Sequence, residues 1–136
     1  MKIKKMNHVG IVVKNLDEAL EAYSKGFGVE VEKRMEVPNI QLKIGILRIG
    51  GMEIELLHYQ NPDHPLVKPL QADRMGIHHL CYEVENIEEA LETLQTKGFK
   101  LVEGFPRKGA HGKIAFMISP HSTEEKIEIL ETDPKK

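Results

Sequence analysis

Apolar residues alternate along Met6–Val13, then recur at helical spacing at Leu16, Ala19, Leu20 and Tyr23. The alternation predicts a strand with Val9, Ile11 and Val13 on one face and His8, Gly10 and Val12 on the other. Asn15, with Glu18 three residues on, predicts a capped helix start, and Gly26 and Gly28 its end. Strands at Val29–Val37, Ile40–Ile49 and Met52–His58 complete a β-α-β-β-β order, with Gly50-Gly51 as the last tight turn. His58–Met75 breaks the pattern. Pro62, Pro65 and Pro69 interrupt any long element there, which predicts a connector with one short helix.

The order then begins again. His78–Val84 reads as a strand, Ile87–Thr96 as a helix, Phe99–Gly104 as a strand and Phe105–Lys113 as a loop. Ile114–Ser119 and Lys126–Glu131 read as the closing strands, and Asp133–Lys136 as a frayed tail. At a shift of 71, His8, Asn15, Glu18, Ala19, Leu20 and Glu21 recur as His79, Asn86, Glu89, Ala90, Leu91 and Glu92. At a shift of 73, Ile54–Leu57 recurs as Ile127–Leu130. The period is too long for a solenoid and indicates a duplicated half-domain. The expected fold is therefore α+β. Two βαβββ modules related by a pseudo-two-fold axis would form one cupped mixed sheet with helices outside. The 136 residues fit one domain, 1–136, with module 1 at about 5–58, a connector at 59–75 and module 2 at about 76–132.

Composition narrows the class. Hydrophobic residues at 40% and charged residues at 29% suit a globular protein, and a net charge of -2 gives no nucleic-acid footprint. No apolar run approaches the roughly 20 residues of a membrane span. The N-terminal lysines have no apolar stretch behind them, so no signal peptide is expected. Cys81 is the single cysteine, which excludes an intramolecular disulfide and fits a reducing cytoplasm.

The repeat also carries chemistry. Each half has one His early in its first strand and one Glu in its last: His8 with Glu55, and His79 with Glu128. Ile54 and Leu56, like Ile127 and Ile129, are expected under a helix, which turns the intervening carboxylate the other way. Paired through a pseudo-two-fold axis, the four side chains would converge. Two imidazoles and two carboxylates suit a divalent metal ion (Co, Ni, Zn or Mn). His78 is expected on the helix side as a satisfied structural residue. Cys81 shares the face of His79 and reads as a small hydrophobe. His58, His64 and His121 read as solvated.

With these residues in view, the chain resembles the vicinal oxygen chelate superfamily, which includes glyoxalase I, extradiol dioxygenases and methylmalonyl-CoA epimerases. Asp63–Leu70 (DHPLVKPL), Gly76–Val84 (GIHHLCYEV) and Pro106–Pro120 (PRKGAHGKIAFMISP) are together similar to methylmalonyl-CoA epimerases. The resemblance implies His8, Glu55, His79 and Glu128 as metal ligands and an acyl-CoA with a 2-methyl-3-carboxy group as substrate. It implies proton abstraction at C2, with Glu128 as a candidate acid or base, and a homodimer. Arg107, Gly109, Ala110, His111, Gly112 and Lys113 are implied as substrate contacts. Gly109–Gly112 reads equally well as a hairpin turn with unusual dihedrals.

Two stretches depart from the epimerase pattern. Where some epimerases carry an opposing Glu, this chain has Ile44, with Lys43 beside it as a candidate contact. Ser122–Lys126 replaces an apolar run before the final Glu. Two other functions remain open: a glyoxalase I-type lactoylglutathione lyase, which uses a similar His/Glu set, and a non-catalytic small-molecule-binding protein. An extradiol dioxygenase is disfavoured, because those enzymes generally use two His and one carboxylate.

Overall fold

Among the described residues, nine strands and two short helices follow the duplicated order. The computed structural model describes residues 2–134. The side chains of residues 122–125 lie outside this description, as do Lys135 and Lys136 of the expected tail. The first half comprises β1 (Ile3–Val12), α1 (Leu16–Glu21), β2 (Val31–Val37), β3 (Leu42–Ile49) and β4 (Met52–Tyr59). The second comprises β5 (Gly76–Val84), α2 (Ile87–Thr96), two-residue strands β6 (Lys100–Leu101) and β7 (Arg107–Lys108), then β8 (Gly112–Ser119) and β9 (Ser122–Thr132). The nine strands make a mixed sheet, so the α+β class holds, with βαβββ order in the first half and the same order plus the two-residue β7 in the second. Among the described residues, no helix is long and apolar enough to cross a membrane.

The chain divides into two compact units: residues 8–78, and residues 1–7 with 79–136. In the unit of residues 8–78 the strand order is β2-β3-β4-β1, with β1 and β4 parallel and the other neighbours antiparallel. Alternation along the strands makes two faces. On one, Leu16 and Leu20 of α1 pack on Leu47 and Leu56, with Ile11, Val13 and Ile54 beside them. On the other lie Val12, Leu42, Ile44, Ile46 and Leu57. Gly45 allows α1 to sit this close, because a Cβ there would lie 2.7 Å from Leu20 Cδ2 and 3.0 Å from Leu16 Cδ1. As expected, Asn15 caps α1, its Oδ1 accepting from the Glu18 amide at 3.0 Å. Beyond Glu21 the helix widens into a π-type turn, Ala22–Gly26.

The other unit contains the start of β1 and the order β5-β9-β8-β6, with β7 also on β8. Here β5 and β9 are parallel, and β8 pairs antiparallel with β6, β7 and β9. Asn86 repeats the cap for α2, accepting from the Glu89 amide at 2.9 Å. Ile87, Ala90 and Leu91 are the helix's buried face.

Local chemistry explains where the boundaries moved. Pro38 opens a short 3-10 turn that ends in left-handed Gln41 (φ 51°), so β3 starts at Leu42 rather than Ile40. The expected strand Phe99–Gly104 shrinks to two residues, interrupted by the turn at Gly104 (φ 92°). The expected loop Phe105–Lys113 contains β7, which pairs with Ile114 and Lys113.

Candidate metal centre

In the unit of residues 8–78, β1 and β4 lie side by side, with His8 opposite Glu53 and Gly10 opposite Glu55. Ile54 and Leu56 pack toward α1, so Glu53 and Glu55 emerge on the other face, with His8. His8 is buried, and its Nδ1 lies 3.4 Å from Glu55 Oε2. Glu53 joins them: His8, Glu53 and Glu55 each present a donor atom within 4.8 Å of the others. Arg48 holds Glu53 from outside, donating through Nη2 at 3.4 Å and through Nε to Glu32 at 3.1 Å.

The unit built on β5, β8 and β9 repeats the pairing. His79 Nε2 lies 3.2 Å from Glu128 Oε1, and both residues are buried. Phe116 stands opposite Glu128 on β8 and meets the His79 ring edge-on at 5.1 Å. Phe105 meets Phe116 at 5.2 Å, and the Arg107 guanidinium lies 4.3 Å from the centre of the Phe105 ring. The aromatic stack fixes the imidazole and leaves its edge beside the carboxylate. Cys81 lies on the His79 face, opposite Glu128, and is fully buried.

Each pair suits part of a divalent-ion shell. Neighbouring N and O ligands about 2.0–2.2 Å from one tetrahedral ion stand roughly 3.3–3.5 Å apart, close to the 3.4 Å and 3.2 Å separations here. An anionic carboxylate beside an imidazole, as in each pair, matches a dication better than a soft monovalent ion.

Comparison with known proteins gives the kinship. Residues 7–116 match the glyoxalase/bleomycin resistance protein/dioxygenase superfamily. The chain belongs to this superfamily. It is 32% identical over 121 residues to a mitochondrial methylmalonyl-CoA epimerase of Dictyostelium discoideum, covering 88% of this chain and 73% of that one. It is 34% identical over 120 residues to an ethylmalonyl-CoA/methylmalonyl-CoA epimerase of Cereibacter sphaeroides, covering 87% and 90%. A crystal structure of methylmalonyl-CoA epimerase from Mycobacterium tuberculosis has the same fold, at 24% identity and TM-score 0.78, over 97% of this chain and 90% of that one. The chain is thus an epimerase-like enzyme of the superfamily, as the sequence motifs implied.

Other residues singled out in this superfamily member fall in different places. Lys43 lies on the α1 face of β3 and lines a cavity of about 200 Å³ with Leu16, Arg34, Met35 and Glu36. Ile44, one residue on, is buried on the face of Glu55. Arg107 stands opposite Ile114, on the Phe116 face of β8, whereas Lys113 turns the other way and pairs with Glu88 at the start of α2. That pair holds the Glu88 carboxyl below its usual range, first through the hydrogen bond from Lys113, and raises the Lys113 ammonium by the same bond.

The glycine loop has a packing reason of its own. Gly112 has φ 149°, and a Cβ there would lie 2.1 Å from the Glu131 carbonyl oxygen. The Gly109 amide donates to the Gly112 carbonyl at 2.7 Å, and the His111 carbonyl accepts from the Asp133 amide at 3.0 Å. Ala110 and His111 are exposed at the tip. His78 is buried and structural, its Nε2 2.8 Å from the Leu70 carbonyl.

Sequence reasoning passed over three charged residues near the pairs: Glu53, Lys126 and Glu83. Glu53 and Lys126 stand two residues before the repeated Glu, so alternation alone puts them on its face. Glu83 is two beyond Cys81 on β5, buried, and accepts from Asn7 Nδ2 at 3.4 Å with Lys4 Nζ at 3.7 Å.

Proposed function

We propose that the chain is a metal-dependent epimerase that inverts C2 of methylmalonyl-CoA or a close acyl-CoA. The observation that carries this reading is the pair of buried His–Glu contacts at repeated positions, His8–Glu55 and His79–Glu128. In this proposal all four side chains hold one divalent ion: Co, Ni, Zn or Mn. When bound, that ion supplies Lewis-acid stabilisation of negative charge developing on the thioester oxygen. Glu128 acts on the proton itself. Its carboxylate takes the C2 proton, the C–H electron pair moves into the thioester as an enolate, a proton from water re-forms the C–H bond on the opposite side of C2, and Glu128 then gives its proton up to water. Phe116 and Phe105 line the His79–Glu128 side and support the placement of the reaction there.

Arg107, Gly109, Ala110 and His111 are proposed to meet the coenzyme A portion. The exposed loop tip and the Arg107 guanidinium, held over Phe105, support this reading. We also propose the two-module division of the sequence, a cytoplasmic location consistent with the single buried thiol Cys81, and a homodimer. The outermost strands of the sheet, β2 and β6, leave edges for such an assembly; light scattering tests it.

Wash-in of deuterium at C2 from D₂O tests the activity. Exchange on methylmalonyl-CoA by the metal-loaded protein is expected. Absence of exchange, with turnover of methylglyoxal and glutathione instead, would replace this reading by a lactoylglutathione lyase.

A further inference from the structure

The two copies of the repeat differ where each helix begins. In the second copy, Glu131 on β9 accepts a hydrogen bond from the Ile87 amide at 2.9 Å, and Lys113 stands opposite it on β8. The first copy keeps this frame. Leu16 is the counterpart of Ile87 at the shift of 71, and Lys43 stands opposite His58 as Lys113 stands opposite Glu131. At the shift of 73 that superposes Ile54–Leu57 on Ile127–Leu130, His58 falls on Glu131. The first copy therefore retains the lysine but not the carboxylate.

At that place lies the cavity of about 200 Å³ lined by Leu16, Arg34, Met35, Glu36 and Lys43. His58 shares the face of Ile54 and Leu56, which pack toward α1. Arg34 is committed to Asp17, its Nη2 donating to Oδ1 at 2.5 Å. Lys43 is half-buried and, among the described residues, has no ion pair. Glu36, opposite it on the edge strand β2, is exposed and screened by water. The Lys43 ammonium is thus the cavity's uncommitted charge, and a partly desolvated cation is stabilised most by an anion that hydrogen-bonds to it.

We propose that this cavity binds a small carboxylate, which takes the position that Glu131 holds in the second copy and meets the Lys43 ammonium. The volume suits such a ligand: water occupies about 30 Å³, so the cavity admits a carboxylate with a short carbon chain. The six-residue helix α1 is too short to hold an anion by its own end, and Lys43 supplies the attraction. The cavity lies on the α1 face, whereas His8 and Glu55 occupy the other face of the same strands. The site is therefore separate from the proposed metal centre and does not depend on the epimerase reading.

Titration of the full chain with sodium acetate at constant ionic strength, followed by amide NMR, tests this. The Leu16 and Lys43 amides should shift and saturate with a Kd of about 1–10 mM, the strength of about two charge-assisted hydrogen bonds. Acetamide, neutral and of similar shape, should give no saturable shift. Lys43→Met should weaken acetate binding by about tenfold or more. His58→Glu supplies the carboxylate within the chain, as Glu131 does, and should abolish acetate binding. Should His58→Glu not fold, Lys43→Gln makes a second comparison with Lys43→Met. No saturable shift up to about 100 mM acetate, an equal response to acetamide, or wild-type affinity in the Lys43 variants or in folded His58→Glu would overturn the proposal.

Discussion

The His8–Glu55 and His79–Glu128 pairs share a sequence pattern and a strand pairing, yet their surroundings differ. Around His8 a second acid, Glu53, comes within reach and is tied outward through Arg48 to Glu32. Around His79 the neighbours are Phe116, the buried thiol of Cys81 and the buried Lys126. Duplication preserved the donor atoms and their spacing, while neighbouring positions diverged in charge and in exposure to water. The difference suggests a division of labour. Under the proposed function the Glu53 side would anchor the cation, and the aromatic side would be the place where substrate reacts.

Substituting the two repeated acids gives the sharpest break in the comparison. Both Glu55→Gln and Glu128→Gln should weaken metal binding. With metal made saturating, Glu128→Gln should still lose about 10²–10⁴-fold in deuterium exchange, the usual worth of a positioned base. Glu55→Gln should recover to within about tenfold of wild type, because no proton passes through it. Equal residual activities would erase the proposed asymmetry.

Two close-packed glycines make a second comparison. Gly112→Ala drives a Cβ into the Glu131 backbone oxygen, and Gly45→Ala drives one into the movable ends of Leu16 and Leu20. Chemical denaturation should show a loss of about 2–3 kcal/mol for the first and about 1 kcal/mol for the second, within the range for overpacking and backbone strain. Glu53→Gln should be gentler. Its acid is held from outside by Arg48, so metal affinity measured by competition with a chelator should fall by less than about tenfold, as for an outer partner.

The smallest effect concerns an exposed pair. Glu88 is lowered by its bond from Lys113, so its contribution is present above the ordinary carboxylate value and lost as pH falls through the lowered one. Lys113 is raised by Glu88, so its contribution is present below the ordinary lysine value and lost as pH rises through the raised one. The bond therefore persists across the neutral range. Solvent screens it, and melting curves of Glu88→Gln should nearly overlay those of wild type there.

Much of this arrangement was legible in the chain. Asn15 and Asn86 announced both helix starts, and the Ile-Glu-Leu and Ile-Glu-Ile triplets fixed which face each carboxylate would take. Strand ends were harder to read. The 3-10 turn at Pro38 and the left-handed Gln41 depend on tertiary context that periodicity does not encode. Gly112 was ambiguous for the same reason: the backbone it approaches, at Glu131, lies 19 positions away in sequence. Glu53 and Lys126 were readable by alternation. They were passed over because a charged residue in a strand ordinarily faces water, whereas Lys126 is buried.

Cobalt titration of the metal-free protein, followed by visible absorption, tests the central claim most directly. One ion per chain should bind, and His8→Ala and His79→Ala should each abolish that same spectrum. Two ions binding independently, each lost with only one of the histidines, would contradict a shared centre.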